Sequence, residues 1–493
     1  MTAAVPVAHA APAARPRPGG MVRRIAQEEW RLLRRDKVAM PALVLLLMLL
    51  VAAAFTAWDS QRNAEAQRSR YQAQAHEDFE SQPDRHPHRM VHYGHFVFRP
   101  LSPLAAFDPG VDGYTGHTLY LEGHRQNSAN FGDVRQSSLL LRFGQLTPAF
   151  VLQVLAPLLL VFIGHASVAR ERESGTLRVL LAQGLRPGQL VAGKLLALGG
   201  VAALMLLPAA VALAAITVTT TAPAGLAALL LAAHGLWLAL WVLAVVAVSA
   251  WLPRGRDALV ALLAAWACSV VLVPRLAPEA AASLQALPTR FETDIQVARE
   301  LAALGDSHNP DDPYFSAFKR QVLAQYGVSR VEDLPVNYKG LLGMEGERLT
   351  SELFNRHAAE SFGRQATQLQ WVDRFALLSP VLALRRVSMA AAGTDLASYR
   401  RFVEQAEQYR YRLVQALNQL QAEKVQFAQD KSTRDVRIGR EHWHGLADFS
   451  FTPPPVADAL RRAAPAAGVL LGWAGVLALL LAAATRRLGR MVR

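Results

Sequence analysis

The chain has 493 residues, 52% hydrophobic and 18% charged, with a formal net charge of +13. Its apolar residues fall in long uninterrupted blocks that a soluble domain has no use for, and the basic excess sits in short segments beside those blocks. A membrane, not a nucleic acid, is therefore the expected partner of this charge, and the single Cys268 excludes both an intramolecular disulfide and a cysteine-rich metal site.

Residues 1–20 are rich in Ala and Pro, lack the apolar core of a signal peptide and are expected to be disordered, with Met21 an alternative start. Over 21–37, Val22, Ile25, Ala26, Trp30 and Leu33 share one helical face, surrounded by Arg23, Arg24, Gln27, Arg31, Arg34 and Arg35. This spacing predicts a basic amphipathic helix in the headgroup layer, the alternative being a charged flank of the first span. Six blocks reach or approach the roughly 20 residues that a helix needs to cross about 30 Å of hydrocarbon. They are 38–58, 147–168, 195–218, 224–252, 258–273 and 465–485. The predicted fold class is all-α, a polytopic membrane protein with six transmembrane helices.

The loop 59–146 is helical in composition at first and, from Gln82 onward, rich in Pro, Gly and His, so irregular structure is expected there. Seven histidines fall in it: His76, His86, His88, His92, His95, His117 and His124. Imidazole is the commonest protein ligand for zinc or copper, so His86, His88, His92 and His95 are metal candidates. The run lacks a tight structural-site spacing, and Pro87 is expected to disrupt a helix that would align ligands. A surface loop or an interface with a partner is the preferred reading, with no metal and no cofactor assigned. Within the spans, His234 is an intramembrane ionisable residue, read as a neutral histidine hydrogen-bonded between helices.

The fifth block has only 16 clear residues and either tilts little or continues into Pro274. Between 274 and 464 lies the largest polar piece, with helices expected over 278–304, 314–326, 339–371 and 395–429. In the last, Leu396, Tyr399, Val403, Ala406, Leu413, Leu417, Leu420 and Phe427 recur at steps of three and four, with Arg410 and Lys424 in the two missing seam positions. That is the spacing of a helix packed along another, here an arm or hairpin within the domain. The apolar segment 375–387 is too short to span and is expected to be interfacial or packed.

Charge sets an expected topology. Placing 1–37, 169–194, 253–257 and 486–493 in the cytoplasm gives that side 19 Lys/Arg and 6 Asp/Glu, while the loops 59–146 and 274–464 hold 33 of each. Retention of Lys/Arg near span ends predicts both termini inside and a mainly helical extracytoplasmic domain. The segment 169–194 is then the sizeable charged piece on the inner side. Gly188 to Lys194 fits the first seven positions of G-x-x-x-x-G-K-[ST], but Leu195 stands where the magnesium-binding hydroxyl belongs and no strand precedes it. No phosphate cradle is expected, and Lys194 reads as the charge at the inner end of the third span.

The segment ARERESGTLRVLLAQGLRPGQLVAGK resembles the cytoplasmic loop of ABC-2 type exporter permeases. There a glutamate pair precedes Gly-Thr-Leu, an apolar helix, a small turn and Gly-Lys. Glu171, Glu173, Gly175, Thr176, Leu177, Gly193 and Lys194 match, whereas Arg178 replaces an acidic residue and the turn reads Gln183 to Pro187. With its large loops, the chain is similar to the branch associated with nitrous-oxide-reductase maturation. The resemblance implies a permease subunit of the bacterial inner membrane, without enzyme activity of its own. ATP hydrolysis would lie on separate cytoplasmic ABC ATPase subunits, contacted through Glu171, Glu173, Gly175, Thr176, Leu177 and Lys194. It also implies a second permease chain and leaves room for an extracytoplasmic protein partner. Two other readings stay open: a mechanotransmitter that moves the outer domain without solute flux, and a histidine-based metal-handling protein.

Overall fold

The computed structural model describes residues 18–126, 146–307, 309–434 and 436–490. The Ala/Pro-rich opening up to residue 17, the possible early start at Met1, part of the first loop and the last three residues of the basic tail lie outside them. The molecule is 77% helical, and the described residues contain a single two-stranded sheet.

Among the described residues, six helices are long and apolar enough to cross a membrane, one at each predicted block. Helix α1 (Pro18–Arg35) leads into α2 (Ala39–Glu80), and Asp36 Oδ1 accepts from the backbone N–H groups of Val38 and Ala39 at the junction. The first span does not stop at Trp58. At 1.5 Å per residue the 42 residues of α2 run about 63 Å, twice the hydrocarbon thickness. Beyond it come the short α3 (Pro87–Val91), β1 (His95–Phe98), α4 (Asp112–Thr115) and β2 (Thr118–Leu121), with the strands antiparallel and His95 opposite Leu121. The irregular loop expected here is thus a small folded unit.

The second span opens with Pro148–Phe150 and a π-helical turn, Val151–Leu155, before α5 (Ala156–Gly164). Two short helices follow, α6 (Ala169–Glu173) and α7 (Thr176–Ala182), then α8 (Pro187–Thr219) and α9 (Ala224–Trp251). The fifth span joins α10 (Gly255–Trp266) to α11 (Val273–Leu284) through a second π-helical turn, Ala267–Leu272, so it continues past Pro274 and is not a bare 16 residues. Both π turns release carbonyls from the regular ladder, and side chains take them up. Trp237 Nε1 and Trp266 Nε1 donate to the carbonyls of Gln153 and Val154, and Ser379 Oγ donates to that of Ser269.

The polar domain contains α12 (Arg290–Leu304), α13 (Pro313–Tyr326), α14 (Tyr338–Arg374) and α16 (Leu396–Lys424). The helix expected over 278–304 is two helices, broken around Pro288. Helices α14 and α16 pack as an antiparallel hairpin: Asn337 N donates to Ala422 O near one end, and Phe362 meets Tyr399 toward the other. Between them α15 (Pro380–Ala392), about 20 Å long by its 13 residues, is buried against α9 and the last helix α17 (Val456–Arg490). It is a packed helix, as its length required.

Candidate functional site

The segment 169–194 is tied by charge to the ends of several helices. Lys194 lies in α8, two turns from its start, and is 1% exposed; its Nζ donates to Glu29 Oε1 at 2.6 Å and Glu171 Oε1 at 3.0 Å. The charge read as the inner end of the third span is a buried link between α1, α6 and α8. An ammonium removed from water needs such partners. Arg170 reaches the same Glu29 at 3.2 Å. Glu171 Oε2 accepts from Thr176 Oγ1 at 2.7 Å, which closes the turn between α6 and α7. Gly175 supplies that turn with a φ of +75°, a region where a Cβ is strained. Leu177 is buried beneath it.

Adjacent residues of opposite charge serve opposite helix ends. Arg172 Nη2 donates to Ala250 O at 2.7 Å at the C-terminal end of α9, and Glu173 Oε1 accepts from Gly255 N at 3.2 Å at the start of α10. Each charge sits at the end of the helix dipole that favours it. Ser249 Oγ accepts from Val168 N and Ala169 N. Gly193 lets α1 approach α8, since a Cβ there would lie 2.6 Å from Ile25 Cβ. The predicted residues Glu171, Glu173, Gly175, Thr176, Leu177 and Lys194 therefore meet in one assembly, in which Leu177 and Lys194 are buried, Glu171 is half-buried and Glu173, Gly175 and Thr176 are exposed. Arg178 and Val179, the latter 55% exposed, face outward. Glu29, Arg170, Arg172 and Ser249 were missed. The pair Glu28 and Glu29 inside an otherwise basic helix was the one available sign of Glu29.

The four candidate histidines do not form one site. Pro87 does not break α3; it occupies the first helical position, where its missing N–H costs nothing, and His86 caps the helix by accepting from His88 N at 3.1 Å. His86 itself is buried with Nε2 3.3 Å from Asp430 Oδ1. His88 and His92 stand one turn apart beside His124, whereas His95 joins His76 and Asp448. His95 Nε2 is 3.1 Å from Asp448 Oδ1, whose carboxylate also accepts from Gln72 Nε2 at 2.9 Å and Phe449 N at 2.7 Å. Those donors hold its charge, and this group fastens α2 and β1 to the chain that precedes α17.

A third polar cluster lies among the apolar helices. His234 is fully buried, with Nδ1 2.9 Å from Leu230 O and Nε2 3.3 Å from Gln153 Nε2, while Phe107 packs edge-on against its ring. Arg385 Nε donates to Gln153 Oε1 at 3.4 Å, and Ser388 Oγ donates to Asp108 Oδ2. The bridging of His234 to a second helix agrees with the reading from sequence. Where α2 leaves this apolar body, a cavity of about 590 Å³ opens between α2 and the strand unit, lined by Gln61, Arg68, Tyr71, Phe98, Asp112 and His117.

These features define a multi-pass α-helical membrane protein with a folded polar domain. A family model described as "Domain of unknown function (DUF3526)" matches residues 290–452, the stretch from α12 through the chain beyond α16. None of the curated proteins compared with the chain matches it.

Proposed function

We propose that this chain is the transmembrane subunit of an ATP-driven ABC-2 type exporter in a bacterial inner membrane. Both termini and 169–194 face the cytoplasm, and the polar domain lies outside. ATP is hydrolysed by separate nucleotide-binding subunits, and two permease chains form the working unit. The observation that carries this reading is the fastening of 169–194. The residues of the resemblance lock α6 and α7 into a compact lever joined to α1, α8, α9 and α10 through Lys194, Arg172 and Glu173. A push on its outward face is passed to four helices at once, which is what a subunit driven by another chain requires.

The test targets the outward face, because charge reversal at Glu171 and Glu173 would also dismantle the fastening. The chain is purified with its nucleotide-binding subunit and reconstituted in liposomes. Arg178→Glu with Val179→Asp is expected to lower stimulated ATP hydrolysis at least about tenfold, the cost of about 1.4 kcal/mol of coupling, with unfolding temperature unchanged. Unchanged ATPase stimulation in that variant, or no ATPase subunit bound to the wild-type chain, would sink the reading.

A second reading, mechanotransmission without solute flux, is favoured by one feature. The unbroken α2 runs from the apolar body into the polar domain and is bonded there, with Gln72 donating to Asp448 and Gln61 Nε2 to Ser102 O. A helix break such as Ala66→Pro separates the two readings. Loss of action on an outer partner in that variant, with no solute flux by the wild-type pair, supports mechanotransmission, and solute flux by the wild-type pair alone supports export.

A further inference from the structure

We propose that His88, His92 and His124 bind a divalent transition-metal ion of the zinc class through three imidazoles, leaving one coordination position open to solvent. This site is independent of the exporter reading.

The residues are brought together by local structure. With Pro87 at the start of α3 and His86 as its cap, His88 and His92 fall on one face, their rings 4.7 Å apart and their Nε2 atoms 3.2 Å apart. Two nitrogens bound tetrahedrally to zinc at 2.0–2.1 Å lie about 3.3 Å from each other. His124 arrives from the turn after β2. Gly123 N donates to Val91 O at 3.1 Å, which pins that turn against α3. The His124 ring lies 5.3 Å from that of His92 and 6.0 Å from that of His88, and one ligand nitrogen from each residue falls within 4.8 Å of the others.

Further observations point the same way. His124 has a φ of +62°, the only positive value outside glycine among the described residues. Such backbone costs on the order of 1 kcal/mol and persists where the surroundings impose it. Here Glu347 Oε2 imposes it by accepting from His124 N at 3.0 Å and lying 3.3 Å from His124 Nδ1. A proton held on Nδ1 by that carboxylate leaves Nε2 as the lone-pair nitrogen. His124 Nε2 is buried and has no hydrogen-bond partner among the described residues. Glu347 is itself buried and fixed by Arg410 Nη1 at 2.5 Å, so the chain carboxylate, imidazole, metal is built from a rigid base. His92 is exposed and His88 half-buried, which gives an ion access and leaves the fourth position facing water. In the group of His76, His95 and Asp448, His95 Nε2 already faces the Asp448 carboxylate at 3.1 Å, and that carboxylate also accepts from Gln72 and a backbone N–H.

The test uses the full chain purified in detergent, stripped with chelator and titrated with Zn²⁺ against a competing chromophoric chelator; Co²⁺ serves as a spectroscopic probe. One Zn²⁺ per chain and intense tetrahedral Co²⁺ bands are expected. His92→Gln and His88→Gln should each weaken binding at least about 100-fold, and Glu347→Gln about 10- to 100-fold. His76→Gln with His95→Gln should leave affinity unchanged. His92 is exposed, so its variant is expected to keep the wild-type unfolding temperature of the metal-free chain. Absence of stoichiometric zinc binding would overturn the proposal and leave His88 and His92 as a hydrogen-bonded pair. So would binding that survives loss of His88 and His92, or that follows His76 and His95.

Discussion

At the residue scale, the decisive groups are charges whose partners lie far away in sequence. Lys194 holds two carboxylates, Glu29 and Glu171, from 165 and 23 residues away. Lys194→Met leaves both without their ammonium, and the expected cost is about 3 kcal/mol, the lower end for a broken buried pair because both carboxylates keep some solvent. Thermal unfolding in detergent measures this, and Glu171→Gln added to Lys194→Met should recover part of the loss. In the polar domain, burial pushes the Asp430 carboxyl up, but hydrogen bonds from Gln421 and Asn337, with His86 and Lys339 beside it, hold it below the ordinary aspartate value. A folded value below the unfolded one, about 3.9, means that this stabilisation is complete above pH 4 and is lost as pH falls through the folded value. Asp430→Asn should therefore cost about 1.5–3 kcal/mol at neutral pH and flatten the acid limb below about pH 4. An unchanged acid limb in the variant would count against the assignment.

At the element scale, the hairpin of α14 and α16 is closed by the polar residue that interrupts its apolar seam. Arg410 is 1% exposed, donates to Glu347 at 2.5 Å, to Glu407 at 2.7 Å and 2.8 Å, and to Ser351 Oγ at 2.7 Å. Arg410→Leu leaves two buried carboxylates uncompensated and is expected to destabilise the polar domain by about 3–5 kcal/mol, seen as early loss of helical signal on heating. The same seam shows what was legible beforehand. Period and the two polar interruptions were visible in 396–427, but Glu347, the partner of Arg410, lies on another helix and no local pattern names it. The six spans were legible because about 20 apolar residues leave a chain no other use. The continuation of α2 to Glu80 was half legible, since its outer part is helical in composition but has no apolar face to mark where a span ends. The two strands were not, because four residues each carry too little alternation to stand out. The histidine group is hidden in the sequence for two reasons: Pro87 reads as a breaker but starts α3, and His124 joins from 32 residues beyond His92 through the strand pairing.

At the scale of the whole molecule, the proposal depends on which side of the membrane each end occupies. Helix α1 and the fastening of 169–194 lie at one end of the apolar body and the polar domain at the other, because α2 begins beside α1 and its far half packs against β1. In the sequence, the short segments 1–37, 169–194, 253–257 and 486–493 carry 19 Lys/Arg and 6 Asp/Glu, whereas the two long loops balance at 33 and 33. Basic residues near span ends resist translocation, while long balanced loops pass through largely regardless of charge. The first end should therefore face the cytoplasm. Cys268 is the only cysteine, so Cys268→Ser gives a background in which single cysteines report sidedness. Arg24→Cys on α1 and Arg320→Cys on α13 both lie at exposed positions. In spheroplasts, a membrane-impermeant maleimide is expected to label Arg320→Cys at once and Arg24→Cys only after permeabilisation. Labelling of Arg24→Cys alone would invert the molecule and put 169–194 beyond the reach of any cytoplasmic ATPase. Labelling of both in intact spheroplasts would mean that α2 does not cross the bilayer, and the exporter reading would fall with it.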